Sequence, residues 1–177
     1  DTFLGAGLQT CIKLIDDGWI GAPSVAEAGI TMPGARLAGR YQSSRIGGVV
    51  MDMAPYYVTA LIAMFGPVRR LAGFAGTSAG ERDVEDMRSS EFGGSHTIEV
   101  PTTVTGILEF DDGVQAHLTA TADAHSYGPS LRVIGTEGVL TCNDPNMFGG
   151  AVSVKRAGNH EQQIPLAHQY SDSNRGV

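Results

Sequence analysis

The sequence predicts an α+β fold: a largely antiparallel, open β-sheet with helices packed on one face. Three observations lead there. Two stretches early in the chain, residues 6–17 and 49–65, carry apolar residues at three- and four-residue spacing. A run of short strand-like segments follows, joined by turn sequences such as Asp111-Asp112-Gly113 and Gly135-Thr136-Glu137-Gly138. Helices grouped ahead of hairpins, rather than alternating with strands, favour α+β over a doubly wound parallel sheet.

The elements follow in order. Over residues 6–17, Leu8, Cys11, Ile12 and Ile15 share one helical face, and Gly18 is placed to end the helix. Gly5-Ala6-Gly7 reads as a flexible approach to it. Gly21-Ala22-Pro23 is a turn, and Val25–Met32 a strand. Residues 33–47 are irregular and carry Arg36, Arg40 and Arg45. The helix over 49–65 presents Val50, Met53, Ala54, Tyr57, Leu61, Met64 and Phe65 as a broad apolar stripe. Pro55 makes it begin late or kink, because a proline inside a helix removes one hydrogen bond and clashes with the preceding turn; Gly66-Pro67 stops it. Val68–Ser78 is a strand, and residues 79–95 an exposed, charged loop. Val104–Phe110 and Val114–Asp123 form a hairpin. In its second strand Val114, Ala116, Leu118, Ala120 and Ala122 alternate with Gln115, His117, Thr119, Thr121 and Asp123, as expected of a sheet with one open face. Leu131–Ile134 with Val139–Cys142 form another hairpin, and Ala151–Arg156 and Gln162–Leu166 are the last strands. No internal repeat is evident.

At 177 residues the chain suits one domain and can bury a sizeable core. Its net charge of −7 argues against a general nucleic-acid binder, which needs a basic surface to neutralise phosphates. No apolar run reaches the length of a membrane span and no signal pattern opens the chain, so no membrane partner is expected. The two cysteines, Cys11 and Cys142, read as free buried thiols, in keeping with a reducing cytoplasm. The opening on Asp1-Thr2-Phe3 and the patternless tail 171–177 are expected of a domain truncated at both ends.

The chemistry-bearing residues concentrate around Asp52-Met53-Ala54-Pro55-Tyr56-Tyr57, where the chain changes direction. Tyr56 and Tyr57 are candidates for proton management or for packing with bonded hydroxyls; a free phenol, with a pKa of about 10, is a poor base at neutral pH without help. The arginine-bearing loop 36–45 suits an anionic or hydroxylated ligand, and equally a solvated surface. Asp123 and His125 are a polar pair for a substrate mouth or a solvated sheet face. With His117 they would make three nitrogen and oxygen ligands, but six residues of strand span about 20 Å, so His117 and Asp123 cannot share an ion and no metal site is assigned. No P-loop, Gly-x-Ser-x-Gly or paired-cysteine motif occurs.

Four segments, in this order, carry a resemblance: Leu14 to Gly21, Gly47 to Gly66, Gly135 to Gly138, and Asp144-Pro145-Asn146-Met147-Phe148-Gly149-Gly150. Together they resemble the C-terminal domain of the Gfo/Idh/MocA family, the glucose-fructose oxidoreductase and inositol dehydrogenase group. The resemblance implies a substrate and oligomerisation domain over residues 1–177. In the full-length parent it is joined to a Rossmann domain that binds NAD or NADP, and it is a homo-oligomer through the open sheet face. The Rossmann half is missing here, since Gly5-Ala6-Gly7 has no room for the preceding strand. No cofactor is expected for this chain alone. The implied activity is hydride exchange with a small-molecule sugar, polyol or related hydroxy compound. The implied catalytic positions are Tyr56 and Asp52, and the implied substrate contacts are Tyr57, Arg36, Arg40, Arg45, Asp123 and His125. Two departures stand out: the family's usual catalytic His falls on Tyr56, and its partner Asp on Thr59. They leave a non-catalytic oligomerising or ligand-binding module as the alternative, with elimination or hydrolysis in a dinucleotide-binding parent as a third.

Overall fold

The structure, a computed structural model, describes residues 1–36, 43–78 and 80–168. A mixed eight-stranded sheet carries three α-helices, and the two clusters of helices and strands expected from the sequence are both present. Helix α1 spans Ala6–Asp16, α2 Gly48–Asp52 and α3 Ala54–Phe65. The strands are β1 (Pro23–Pro33), β2 (Val68–Gly76), β3 (Glu81–Asp83), β4 (Ser95–Thr97), β5 (Thr103–Phe110), β6 (Gln115–Thr121), β7 (Asp123–Gly135), β8 (Gly138–Thr141), β9 (Ser153–Arg156) and β10 (Gln162–Gln163). Eight of them form one sheet in the order β10-β9-β8-β7-β1-β6-β5-β2, while β3 and β4 make a separate hairpin.

Every pairing in the large sheet is antiparallel except β1 with β6. β1 enters between β6 and β7, strands adjacent in sequence, and joins two hairpin systems into one sheet. Ala26, Ala28 and Ile30 of β1 lie level with Ala116, Leu118 and Ala120 of β6. Four of these six are alanines, small enough to leave room for the helices packed over them. Leu8, Cys11 and Leu14 of α1, and Tyr57, Ala60, Leu61 and Phe65 of α3, are buried with Leu131, Val133, Leu140 and Val154 in one core. Phe65 and Phe110 pack with ring centroids 5.4 Å apart at 59°, a tilted geometry suited to aromatic quadrupoles.

The buried face of α1 is centred on Leu8, Cys11 and Leu14, with Ile15 packed at its margin and Ile12 only half-buried, a rotation of the face expected from the sequence. The Gly5-Ala6-Gly7 segment is no loose approach. Gly5 is the N-cap, and the turn 143–149 lies directly on it: a Cβ at Gly5 would collide with the Phe148 backbone, and one at Gly7 with the Asn143 amide. Gly7 N–H donates to the Phe148 carbonyl at 2.9 Å, and Thr2 Oγ1 donates to the Pro145 carbonyl at 2.7 Å.

Two further expectations are corrected. The segment 79–95 is not simply an exposed loop. It holds β3, which pairs with β4, so that Arg82 faces His96 across the ladder while Val84 and Ile98 are buried. The strand expected to run to Asp123 ends at Thr121. Ala122 leaves the ladder, donating to the Thr102 carbonyl and accepting from Gly34 N–H, and β7 then runs from Asp123 to Gly135, well beyond the expected Leu131–Ile134.

Candidate functional site

Asp52 and Tyr56 flank the break between α2 and α3. Met53 separates the helices with φ −114° and ψ −35°, and Pro55 sits in the first turn of α3, where its missing N–H costs nothing. The proline thus starts a helix instead of kinking one. Asp52 and Tyr56 are half-buried, and Tyr56 packs at the core margin. Tyr57, next in sequence, points into the core and is fully buried.

Tyr57 is not simply a packing residue. Its hydroxyl lies 3.5 Å from Asp144 Oδ1, and Tyr127 donates to Asp144 Oδ2 at 2.6 Å. Asn146 N–H donates to Asp144 Oδ1 at 2.9 Å. Two phenols from distant segments therefore converge on one carboxylate. Burial pushes the Tyr57 phenol far above its ordinary range, and the charge of Asp144 beside it pushes the same way. Tyr57 is held as a neutral donor and cannot serve as a base.

The turn that carries Asp144 is braced from within by a side chain. The Asn143 side-chain amide donates to the carbonyls of Asp144, Met147 and Gly149, at 2.9, 3.1 and 3.1 Å. Asn146 Nδ2 reaches Met53 Sδ at 3.9 Å, so the turn touches the break between α2 and α3. Asp144 and Tyr127 are absent from the residues the sequence nominates. Asp-Pro-Asn is legible as a turn that caps itself through its aspartate; nothing local to Ser126-Tyr127-Gly128 announces the pairing.

The other nominated residues are not among the described groups bonded to Asp144. Arg36 ends a short 3-10 helix over Gly34–Arg36. Arg45 is exposed in the turn before α2, and Arg40 lies outside the described residues. His125 is exposed on β7, in the irregular stretch between Asp123 and Gly128 that also holds Tyr127. Asp123 faces elsewhere. It forms an ion pair with Arg82 and accepts from Ser78 Oγ at 2.7 Å, Thr102 Oγ1 at 2.6 Å and Thr103 Oγ1 at 3.0 Å. Partial burial alone would raise its pKa; the bonds from Thr102, Ser78, Arg82 and Thr103 outweigh it and bring the carboxyl down to about 2. Both oxygens are occupied, and Asp123 pins the β3–β4 hairpin to the end of the sheet. His117 lies level with Ile107 and Glu27 on the open face and joins neither Asp123 nor Asp144 in a hydrogen bond.

The family profile described as GFO/IDH/MocA C-terminal domain matches residues 8–141. The chain belongs to this family. No curated protein sequence matches it. Among solved structures, levoglucosan dehydrogenase in its apo form superposes with a TM-score of 0.75 at 18% identity, over 99% of this chain and 50% of that one. The same enzyme in complex with NADH and L-sorbose gives 0.73 at 19%, again over 99% and 50%. An NAD binding oxidoreductase from Klebsiella pneumoniae gives 0.73 at 17%, over 99% and 50%. The Gfo/Idh/MocA chain described here thus spans about half the length of these relatives. Among its described residues there is no doubly wound nucleotide-binding fold and no helix long and apolar enough to cross a membrane.

Proposed function

We propose that this chain is the substrate-side and oligomerisation domain of an NAD- or NADP-dependent oxidoreductase acting on a sugar, polyol or related hydroxy compound. The observation that carries this reading is coverage: nearly the whole chain superposes on half of a dehydrogenase solved with NADH and L-sorbose, and with NADH and levoglucosan. The parent's nucleotide-binding half is the partner it requires. When bound, the nicotinamide supplies the hydride chemistry; this chain's residues bind, orient and manage protons.

In this reading Asp52 and Tyr56 lie at the pocket edge, with Tyr56 holding a transferable proton on its hydroxyl. Tyr57 stays protonated and fixes the wall behind them. Arg45 and His125 are exposed and available to substrate; Arg36 and Arg40 are proposed as further contacts. Asp123 acts at one remove, by holding the corner from which β7 departs. The open face of the sheet carries Phe74, 85% exposed, and Ile107, 47% exposed, close together across the β2–β5 ladder. An apolar surface of this kind on a regular sheet suits burial against a second copy. Tyr56 and Thr59, standing where the family has His and Asp, favour the second reading, a non-catalytic module.

The deciding experiment compares this chain with the chain extended upstream to its natural start codon. Calorimetric binding of NAD(H) or NADP(H) by the longer form, with reduction of the nucleotide by members of a sugar and polyol panel, is expected. Nucleotide binding without turnover of any panel member would favour the non-catalytic module, and no binding by either form would defeat the oxidoreductase reading.

A further inference from the structure

We propose that Asp144 and Tyr127 form a hydroxyl-reading pair that admits neutral polyhydroxylated ligands and disfavours anionic ones. The inference rests on the reading of this chain as a substrate-side domain and specifies which chemistry that side selects. An ionised carboxylate has about four acceptor positions and no donor. Three of those on Asp144 are used, by Tyr57, Tyr127 and the Asn146 N–H, and all three donors are neutral. None of the ion pairs among the described residues involves Asp144. The group is therefore oriented by hydrogen bonds but not neutralised by a cation. One acceptor position remains on Oδ2, the oxygen held by Tyr127.

That position suits a ligand hydroxyl, which can donate to it, and opposes a ligand carboxylate or phosphate, which can only repel it. Tyr127 supplies the complementary surface. Its side chain is tied at the hydroxyl to Asp144 while the residue remains 46% exposed. A firmly placed aromatic ring beside an acceptor oxygen matches the two aspects of a sugar, its hydroxyls and its C–H face. The pair is preorganised: Asn143 braces the turn from within, the missing side chains of Gly5 and Gly7 let it seat on α1, and Tyr57 and Asn146 tie it to α3 and Met53. It thus stands against the same helix break that presents Asp52 and Tyr56.

The test uses the natural full-length protein and matched ligands that differ by one oxidised carbon: D-glucose with D-glucuronate, D-glucitol with D-gluconate, and xylitol with xylonate. Binding is followed by ligand-detected NMR and, where turnover occurs, by steady-state kinetics. The wild type is expected to prefer the neutral member of a pair at least tenfold. Asp144→Asn should narrow that preference below threefold. Tyr127→Phe, which keeps the ring and removes only the hydroxyl, should raise KM for the neutral ligand at least fivefold with kcat changed less than threefold, its melting temperature reporting on the fold. If the wild type turns over neutral polyols but both variants keep its selectivity and KM, this inference is overturned and the oxidoreductase reading stands. If the wild type binds neither nucleotide nor any neutral ligand, both are overturned; equal binding of the two members of each pair overturns the selectivity alone.

Discussion

Arg82 is clamped by Asp123 beneath the backbone of Gly34. Its Nη1 donates to the Ala122 carbonyl at 2.9 Å while its Nη2 meets the Asp123 carboxylate, and both side chains are partly buried, at 14% and 22% exposure. One contact joins three parts of the chain: the β3–β4 hairpin, the start of β7 and the exit of β1. Because the folded carboxyl titrates at about 2, below the ordinary aspartate value, the folded state releases this proton more readily than the unfolded chain does. The stability it confers is therefore complete above the unfolded pKa of about 4 and is lost as pH falls through 2. Asp123→Asn is expected to cost about 1–3 kcal/mol at pH 7, the penalty for breaking a hydrogen-bonded charge pair. The cost should shrink towards pH 2. Urea denaturation of wild type and variant at pH 7, 4 and 2.5 checks this, and a pH-independent difference would refute the assignment.

The seat of the 143–149 turn depends on having no side chain at Gly7. Its φ is helical and poses no demand; the space does, because a Cβ would displace the Asn143 amide and with it three hydrogen bonds. Gly7→Ala should destabilise by about 1–3 kcal/mol, as overpacking does, although alanine is the better helix former by about 1 kcal/mol. A thermal melt gives the sign: stabilisation would mean that the turn yields freely.

Both glycines of that segment were visible in the sequence, but only as flexibility, because close approach by a turn some 140 positions away leaves no local trace. The same limit explains the other misses. The hairpin of β5 and β6 was legible from Asp111-Asp112-Gly113, and Gly113 does adopt a positive φ, 89°. Pro55 correctly marked a break, since a proline restricts only its immediate neighbours. The insertion of β1 between β6 and β7 was not legible, as strand order depends on long-range pairing that periodicity cannot encode. Of the candidate site, Asp52, Tyr56 and Tyr57 could be nominated from their position. The Tyr57–Asp144–Tyr127 cluster needed the fold, because its members come from a helix, a turn and a strand.

Phe74 offers a test of the open face. Its side chain contributes little to the core of this chain, so its replacement should leave folding almost unchanged. Phe74→Asp places a charge on the β2–β5 surface, where a second copy would have to bury it. We expect the wild type to self-associate at tens of micromolar in light scattering. The variant should shift to monomer with a melting temperature within a few degrees. A wild type that is monomeric at that concentration would remove the sheet face from the proposed assembly.

The buried phenol makes the opposite pH prediction to Asp123. Tyr57 has its pKa raised by burial and by the charge of Asp144, so the folded state retains its proton where the unfolded chain, titrating at about 10, gives it up. The stability linked to it is full below pH 10 and declines as pH rises beyond. Spectrophotometric titration at the phenolate band should show one of the five tyrosines silent until the protein unfolds. Tyr57→Phe should abolish that silent fraction and flatten the alkaline limb of the stability curve. At pH 7 it should cost only about 0.5–1.5 kcal/mol, because the hydroxyl's bond to Asp144 is long and the ring that fills the core is kept. A variant with the same alkaline limb as wild type would mean that another group, not Tyr57, controls base denaturation.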